Sequence, residues 1–260
     1  MLSIEKKGGV ARVTLDRPEV RNAFDDALIA SLKKSFAGIE KDQSVRVVVL
    51  AGNGPAFCAG ADLNWMKRMA KYGHEENLAD ARALAEMLAA LDRLPQPTIA
   101  RVHGPAFAGG TGLVAACDMA IGTPQAKFCF SEAKLGLSPA TISPYVLRAI
   151  GERAARRYFL TAEVFDAEEA LRIGMLSLLV PAAELDATIE GLLQHLLAGG
   201  PQAHAKIKNL IRAVAGRPID EALMADTARR IAEIRVSPEG REGIASFLDK
   251  RKASWCSPKS

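Results

Sequence analysis

Four histidines and four cysteines are all that the 260-residue chain offers for metal or thiol chemistry, and neither set is spaced for it. His74, His103, His195 and His204 are scattered without metal-ligand spacing, so no metal is expected; His195 and His204 sit in helical patterns as packing or surface residues. Cys58, Cys117, Cys129 and Cys256 form no C-x-x-C pair. Cys58 and Cys117 lie in apolar runs and read as buried thiols of a reducing compartment. No apolar run approaches the roughly 20 residues of a membrane span, and "MLSIEKKGGV" has neither an apolar h-region nor an Arg- and Ser-rich leader. The expectation is a cytoplasmic chain with no membrane partner. No charge excess calls for nucleic acid: 34 Lys and Arg against 30 Asp and Glu leave +4. That surplus suits an anionic small molecule and equally an ordinary solvated surface. "GGTGLV" lacks the G-x-G-x-x-G spacing of a dinucleotide turn. Internal repeats and low-complexity linkers are also absent.

What is present is a chain 49% apolar and 25% charged, enough to bury a sizeable core. "LSIEKKGGVARVTLDRP" alternates apolar and polar residues around Gly8-Gly9, the pattern of a β-hairpin. "DDALIASLKKSFAGIEKD" and "LADARALAEMLAALDRL" repeat apolar residues at helical spacing. "VRVVVLAG" (45–52) and "PTIARVHG" (97–104) are apolar runs that suit a sheet covered on both faces, with "MAIGT", "KFCF" and "LSLLVP" as shorter strands. From about Ile142 the pattern is helical apart from "LSLLVP". The fold class is therefore α/β, with a helical layer in the last third. "WMKRMAKYGHEENLAD" loses its periodicity towards its end and reads as a mobile flap; the final "SPKS" reads as a frayed tail.

Chemistry is concentrated in three places. "FCAGADL" (57–63) directly follows a strand, and its small residues leave backbone N–H groups open to a ligand. Gly109-Gly110 stands where a loop turns into the helix "TGLVAACDMA", so unsatisfied N–H groups and a partial positive charge are available there. One donor from each loop, converging on a thioester oxygen, would make an oxyanion hole. The plainer alternative is that these glycines only permit tight turns. The third place is "FCFSEAKLGLSPATISP" (128–144), where Glu132 ends a short apolar strand. A partly desolvated carboxylate there is raised towards the range useful for proton transfer. An N-cap or a surface ion pair is the competing role for a lone glutamate.

Together these segments identify the chain as a member of the crotonase (enoyl-CoA hydratase/isomerase) superfamily. The resemblance runs from "RVTLDRPEVRNAF" through "VRVVVLAGNGPAFCAGADL", "PTIARVHGPAFAGGTGLVAACDMAIG" and "FSEAKLGL" to "EGREGIASFLDKRKASW", essentially the whole chain in the family's order. "ADLNWM", "ACDMAIG", "SPATISP" and "IGERAARRYFLTAE" resemble a bacterial branch of methylglutaconyl-CoA and isohexenylglutaconyl-CoA hydratases. The resemblance implies a spiral of ββα units over 1–195 and a helical trimerisation region over 196–260, giving trimers or dimers of trimers. It implies an acyl-CoA thioester as the partner and no cofactor beyond the coenzyme A that the substrate carries.

The resemblance also supplies roles. Ala61 and Gly109 match the two oxyanion donors, with no Cβ at Gly109 to stand in the way of the thioester oxygen. Arg21, Ala59, Ala61, Asp62 and Leu63 fall along the CoA route, and Lys250, in "DKRK", reaches the CoA of a neighbouring subunit. Glu132 matches one of two glutamates that hold a water in the hydratases. The other position is Gly112, a departure that either leaves one carboxylate to do both proton transfers or changes the reaction to double-bond isomerisation. A CoA-binding or RNA-associated scaffold is the reading from another class. Removal of a carboxylate at Gly112 is expected to empty space beside the acyl carbons and to favour branched or dicarboxylic acyl groups. Thr111, Ser138 and Ser143 are candidates to hold the water. Ala140 stands where the family has a glycine. Trp65, Met66 and Met69 either line the acyl pocket or pack in the core.

Overall fold

The computed structural model describes residues 1–256; the "SPKS" tail lies outside them. Chain order begins with the hairpin β1 (Leu2–Lys7) and β2 (Val10–Leu15), paired antiparallel. Helix α1 (Asp26–Lys41) follows, started by the Asp25 carboxylate accepting from the Leu28 N–H at 2.7 Å. Then come β3 (Val47–Gly52), α2 (Leu63–Met69), α3 (His74–Asp92), β4 (Thr98–Val102) and β5 (Ala106–Phe107). Next are α4 (Gly109–Ala116), β6 (Met119–Gly122), β7 (Lys127–Cys129), α5 (Ser143–Thr161), β8 (Phe165–Asp166), α6 (Ala167–Ile173) and β9 (Leu178–Leu179). The chain closes with α7 (Leu185–Ala198), α8 (Pro201–Val214), α9 (Glu221–Val236) and α10 (Pro238–Leu248).

Two sheets result. The larger has the order β1-β2-β3-β4-β6-β9 and is parallel from β2 onward; the smaller is β5-β7-β8. In β3 successive side chains alternate between the faces of the sheet. Val47 and Val49 face Ile189 and Leu193 of α7, whereas Val48 and Leu50 join the main core with Leu32 and Phe36 of α1 and Leu88 and Leu91 of α3. Both faces are therefore covered, which is why β3 reads as a run of apolar residues rather than an alternating one. This is the α/β crotonase-type architecture expected, with ten α-helices among the described residues.

Three expectations change. The 195/196 boundary falls inside α7, which packs on the sheet as a whole. The span after Ile142 contains β8 as well as "LSLLVP", and the latter contributes only Leu178–Leu179. The stretch expected as a flap is helical: Trp65 is buried, its Nε1–H donates to Asp80 Oδ1 at 3.1 Å, and α3 begins at His74. No helix among the described residues is long and apolar enough to cross a membrane. The four cysteines are free; Cys58 and Cys129 are buried, Cys117 is half-buried and Cys256 is exposed.

Candidate active site

Parallel strands deliver their outgoing loops to one edge of the sheet, and the candidate residues lie in those loops. The loop after β3 carries Ala59 to Leu63. It lies alongside Arg21–Phe24: the Ala59 N–H donates to the Arg21 carbonyl at 2.9 Å, Phe24 N–H to Gly60 carbonyl at 2.6 Å, and Asp62 N–H to Phe24 carbonyl at 2.7 Å. In this parallel bridge both of Phe24's polar groups are used on the residues flanking Ala61. Ala61's own N–H therefore points away, and it has no acceptor among the described residues.

The loop after β4 supplies the second donor. Ala108 adopts φ 45° and ψ −116°, a conformation an alanine rarely accepts, and α4 starts at the next residue. Gly109, in the first turn, has an N–H without an acceptor among the described residues. The two loops touch. Gly60 has φ +93°, and a Cβ on it would lie 3.2 Å from the Ala108 Cβ and 3.1 Å from the Phe107 carbonyl oxygen. Two backbone donors without acceptors are thus carried on touching loops, one of them at a helix N-terminus, an arrangement suited to holding a developing oxyanion. Glycine at 109 has a different cause from the one expected. A Cβ there would not face the open site; it would strike the Phe24 ring, 2.8 Å from Cε2 and 3.0 Å from Cδ2.

Glu132 arrives from the other side. The Ala108 N–H donates to the Cys129 carbonyl at 2.8 Å, so the turn is tied to the end of β7, three residues before Glu132. Glu132 lies in a 3-10 turn, Ser131–Leu135, that Gly136 closes in the left-handed conformation. Its Oε2 is buried with no hydrogen-bond partner. Burial pushes the Glu132 carboxyl above its ordinary value, only partly opposed by its own backbone N–H. Neither the N-cap nor the ion-pair role is filled, since no other residue among those described forms a hydrogen bond or ion pair with this carboxylate.

Gly112 gives the clearest correction. The space beside it is not empty. A Cβ on Gly112 would overlap the Ile142 side chain, standing 2.9 Å from its Cβ and closer still to Cγ2. Ile142, 2% exposed, immediately precedes α5 and fills the place where a longer side chain from Gly112 would go. Two of the hydroxyls considered for a water are already engaged: Thr111 donates to the Ala106 carbonyl at 2.7 Å and Ser143 to the Ala140 carbonyl at 2.8 Å. Ser138 is exposed and has no such bond.

The CoA-route residues divide. Arg21 is exposed in the left-handed region (φ 53°), and only the carbonyl of Ala59 is left for a ligand. Asp62 is turned inward. Its Oδ1 caps α2 through the N–H groups of Asn64 (2.8 Å) and Trp65 (3.3 Å), and Arg17 Nη2 sits 3.2 Å from its Oδ2. Burial opposes its charge, but those donors and the guanidinium hold its carboxyl below the usual range. Leu63 is 74% exposed at the mouth. Lys250 is not brought to the site within its own chain. Its segment is tied to the starting ends of the strands, where Arg46 donates to the Trp255 carbonyl and the Trp255 Nε1–H to that of Ala198. Trp65 belongs to the core, with Met66 and Met69 half-buried beside it. Phe24 and Ile142, which shape the site most directly, were visible in the sequence only as apolar residues.

A crevice of about 910 Å³ lies at the far end of α4, lined by Asp118, Arg148, Lys208 and Arg212; neither donor nor Glu132 reaches it. Among the described residues no three His, Cys, Asp or Glu side chains are grouped to hold a metal ion.

Two unpaired backbone donors on touching loops, one of them at a helix N-terminus, with a desolvated carboxylate three residues beyond the point where the second loop is tied to β7, suit an enzyme that handles a carbonyl carrying developing negative charge. Residues 5–258 match the enoyl-CoA hydratase/isomerase family, and the chain belongs to it. It is similar to an enoyl-CoA hydratase from Shewanella pealeana, at 45% identity and a TM-score of 0.95 over 98% of this chain and 95% of that one. AtuE from Pseudomonas aeruginosa is 38% identical with a TM-score of 0.93, covering 98% and 99%. A short-chain-enoyl-CoA hydratase from Clostridium acetobutylicum is 31% identical over 255 residues, 96% of this chain and 95% of its own.

Proposed function

We propose that the chain adds water to a 2,3-enoyl-CoA thioester, with Glu132 as its one acid–base group. The observation that carries this reading is the buried, unpartnered Glu132 Oε2 on a segment tied to the turn that presents the Gly109 N–H. The thioester oxygen accepts from the Ala61 and Gly109 N–H groups, which polarises the conjugated acyl group. Glu132 takes a proton from water as its oxygen bonds to C3, and the charge moves onto the thioester oxygen. Glu132 then returns the proton to C2. Water's O–H bond breaks, C3–O and C2–H bonds form, and the carboxylate ends as it began. Only a proton and a hydroxyl move, so the step calls for no redox group, and coenzyme A arrives on the substrate.

For the acyl group we keep the C3-branched or dicarboxylic reading, on charge and not on space. With Gly112 in place of a carboxylate, a substrate bearing its own distal carboxylate meets one fewer like charge at low dielectric. Ile142 adds an apolar wall suited to a branch. The expectation is a preference for 3-methylglutaconyl-CoA over crotonyl-CoA of at least about tenfold in kcat/KM, roughly 1.4 kcal/mol in the transition state. Equal or better crotonyl-CoA turnover would end this substrate assignment.

Ile142 also favours a second reading. An apolar side chain where a second polar group would hold water suits a reaction without water, in which Glu132 carries a proton between C4 and C2. Incubation with crotonyl-, 3-methylglutaconyl- and 3-hexenoyl-CoA separates the cases. Loss of the conjugated-thioester absorbance marks hydration, its growth from the 3-enoyl ester marks isomerisation, and no change with any of the three leaves a binding scaffold. A trimer built through the C-terminal helices is part of the proposal, supported by the exposed apolar side chains Ile231, Val236, Ile244, Phe247 and Leu248 on α9 and α10.

A further inference from the structure

Between β2 and α1 the chain makes a turn, Arg17–Phe24, that touches both backbone donors. At its centre Asn22 is fully buried at φ 57°, a conformation that asparagine tolerates better than most residues. Every polar group of its amide is engaged. Oδ1 accepts from the Arg17 N–H at 2.8 Å, while Nδ2 lies 2.8 Å from the Asn53 carbonyl, 2.9 Å from that of Ala56 and 3.2 Å from that of Phe57. These three carbonyls belong to the loop that runs on to Ala61. Gly52 leaves room for the amide, since a Cβ there would stand 2.9 Å from Nδ2.

The far end of the same loop is held by the same turn. Arg17 Nη1 donates to the Ala23 carbonyl at 2.9 Å and pairs with Asp25 at 2.8 Å, while Nη2 reaches Asp62, the residue after Ala61. The bonds from Arg21 and Phe24 to residues 59–62 complete the attachment. The turn ends in Phe24, 1% exposed, whose ring lies against Gly109.

We propose that Arg17–Phe24 is a spacer that fixes how the Ala61 and Gly109 N–H groups face each other, with Asn22 and Phe24 as positioning residues. Asn22 fastens the loop bearing one donor, and the Phe24 ring sets the distance to the turn bearing the other. Neither side chain touches the substrate. Both act through the backbone groups they hold. The inference rests on the oxyanion reading of Ala61 and Gly109.

The test reads the donors spectroscopically as well as kinetically. Asn22→Gly keeps the left-handed backbone and removes the amide; Phe24→Leu keeps an apolar core and shortens the spacer. In a Glu132→Gln background, which stops turnover, the infrared C=O stretch of bound, carbonyl-labelled crotonyl-CoA is lowered by the paired donors. It should return towards the free value in each variant. With Glu132 intact, each variant that folds should lose at least about thirtyfold in kcat with KM within about threefold, a fraction of the loss caused by removing a whole donor. A folded Asn22→Gly or Phe24→Leu protein with unchanged stretch and kcat overturns the spacer; either variant suffices if the other fails to fold. A stretch already at the free value in Glu132→Gln alone overturns the oxyanion reading itself, a result distinct from failure of the spacer.

Discussion

Glu132 is costly where it stands. A carboxylate with a buried, unpartnered oxygen prefers its neutral form, so its folded pKa lies above the ordinary 4.5. The sign of the linkage follows. The stability its protonated form contributes is present below about 4.5 and is lost as pH rises through the folded value. Glu132→Gln cannot ionise, so its melting temperature should match or exceed that of the wild type at pH 7, with the advantage shrinking on acidification. A difference between the two proteins that stays constant from pH 4 to 7, values spanning the ordinary carboxylate range, would contradict this. Turnover moves the other way. Glu132→Gln should lose about two to four orders of magnitude in kcat with CoA-ester binding largely kept, because the oxyanion donors are backbone groups. In the wild type the acid limb of kcat/KM should lie above the ordinary carboxylate range. Glu132 was legible in the sequence through the family resemblance of "FSEAKLGL", since a lone carboxylate after a short apolar strand is by itself more often a cap or a surface ion pair. Asn22 was not, since nothing local shows that its amide serves three carbonyls more than thirty residues away.

At the scale of elements, the site is a matter of what α4 leans on. Gly109 faces Phe24 and Gly112 faces Ile142, so both glycines are fixed by packing partners far off in sequence. The strands β3 and β4 were readable from their apolar runs, as was the amphipathic α3. The contact between α4 and the start of α5 was not, because a pattern of apolar residues shows that they are buried but not against what. Gly112→Glu should therefore do more than change specificity. With Ile142 in place it overpacks a buried seam and brings in a charge, so the loss of stability should be at least about 3 kcal/mol, read from the urea midpoint. Ile142→Ala opens that space, and the double variant should regain a large part of the loss and narrow the preference for branched substrates. If Gly112→Glu alone is as stable as the wild type, the seam is looser than the geometry indicates. Gly109→Val presses on Phe24 and should cost at least about a hundredfold in turnover, the scale of one lost donor. Normal turnover by that variant would remove Gly109 from the oxyanion pair.

Across the whole molecule, the C-terminal residues pose a problem of distance. Lys250 lies by the starting ends of the strands, and the site loops leave from their finishing ends. The six residues of β3 alone span about 20 Å at 3.3 Å each. Within one chain the segment that follows Lys250 is anchored at the opposite ends of the strands from the site loops, so a role for Lys250 in binding CoA calls for a second subunit to present it. The exposed Phe247 (81%) and Leu248 (70%) lie just before it and form an apolar surface that the proposed trimer would cover. Two substitutions separate the possibilities. Lys250→Glu should raise KM for the CoA ester by about tenfold with kcat unchanged, the scale of one lost charge-assisted phosphate contact near 1.4 kcal/mol. Phe247→Asp should break the assembly, seen as a fall in mass by light scattering, and raise KM by itself. Combined in one chain the two should not add, because a Lys250 no longer facing a neighbour's site has nothing left to lose. Additive effects would mean that Lys250 works on its own chain's CoA, and an unchanged KM in Lys250→Glu would take it out of the binding site altogether.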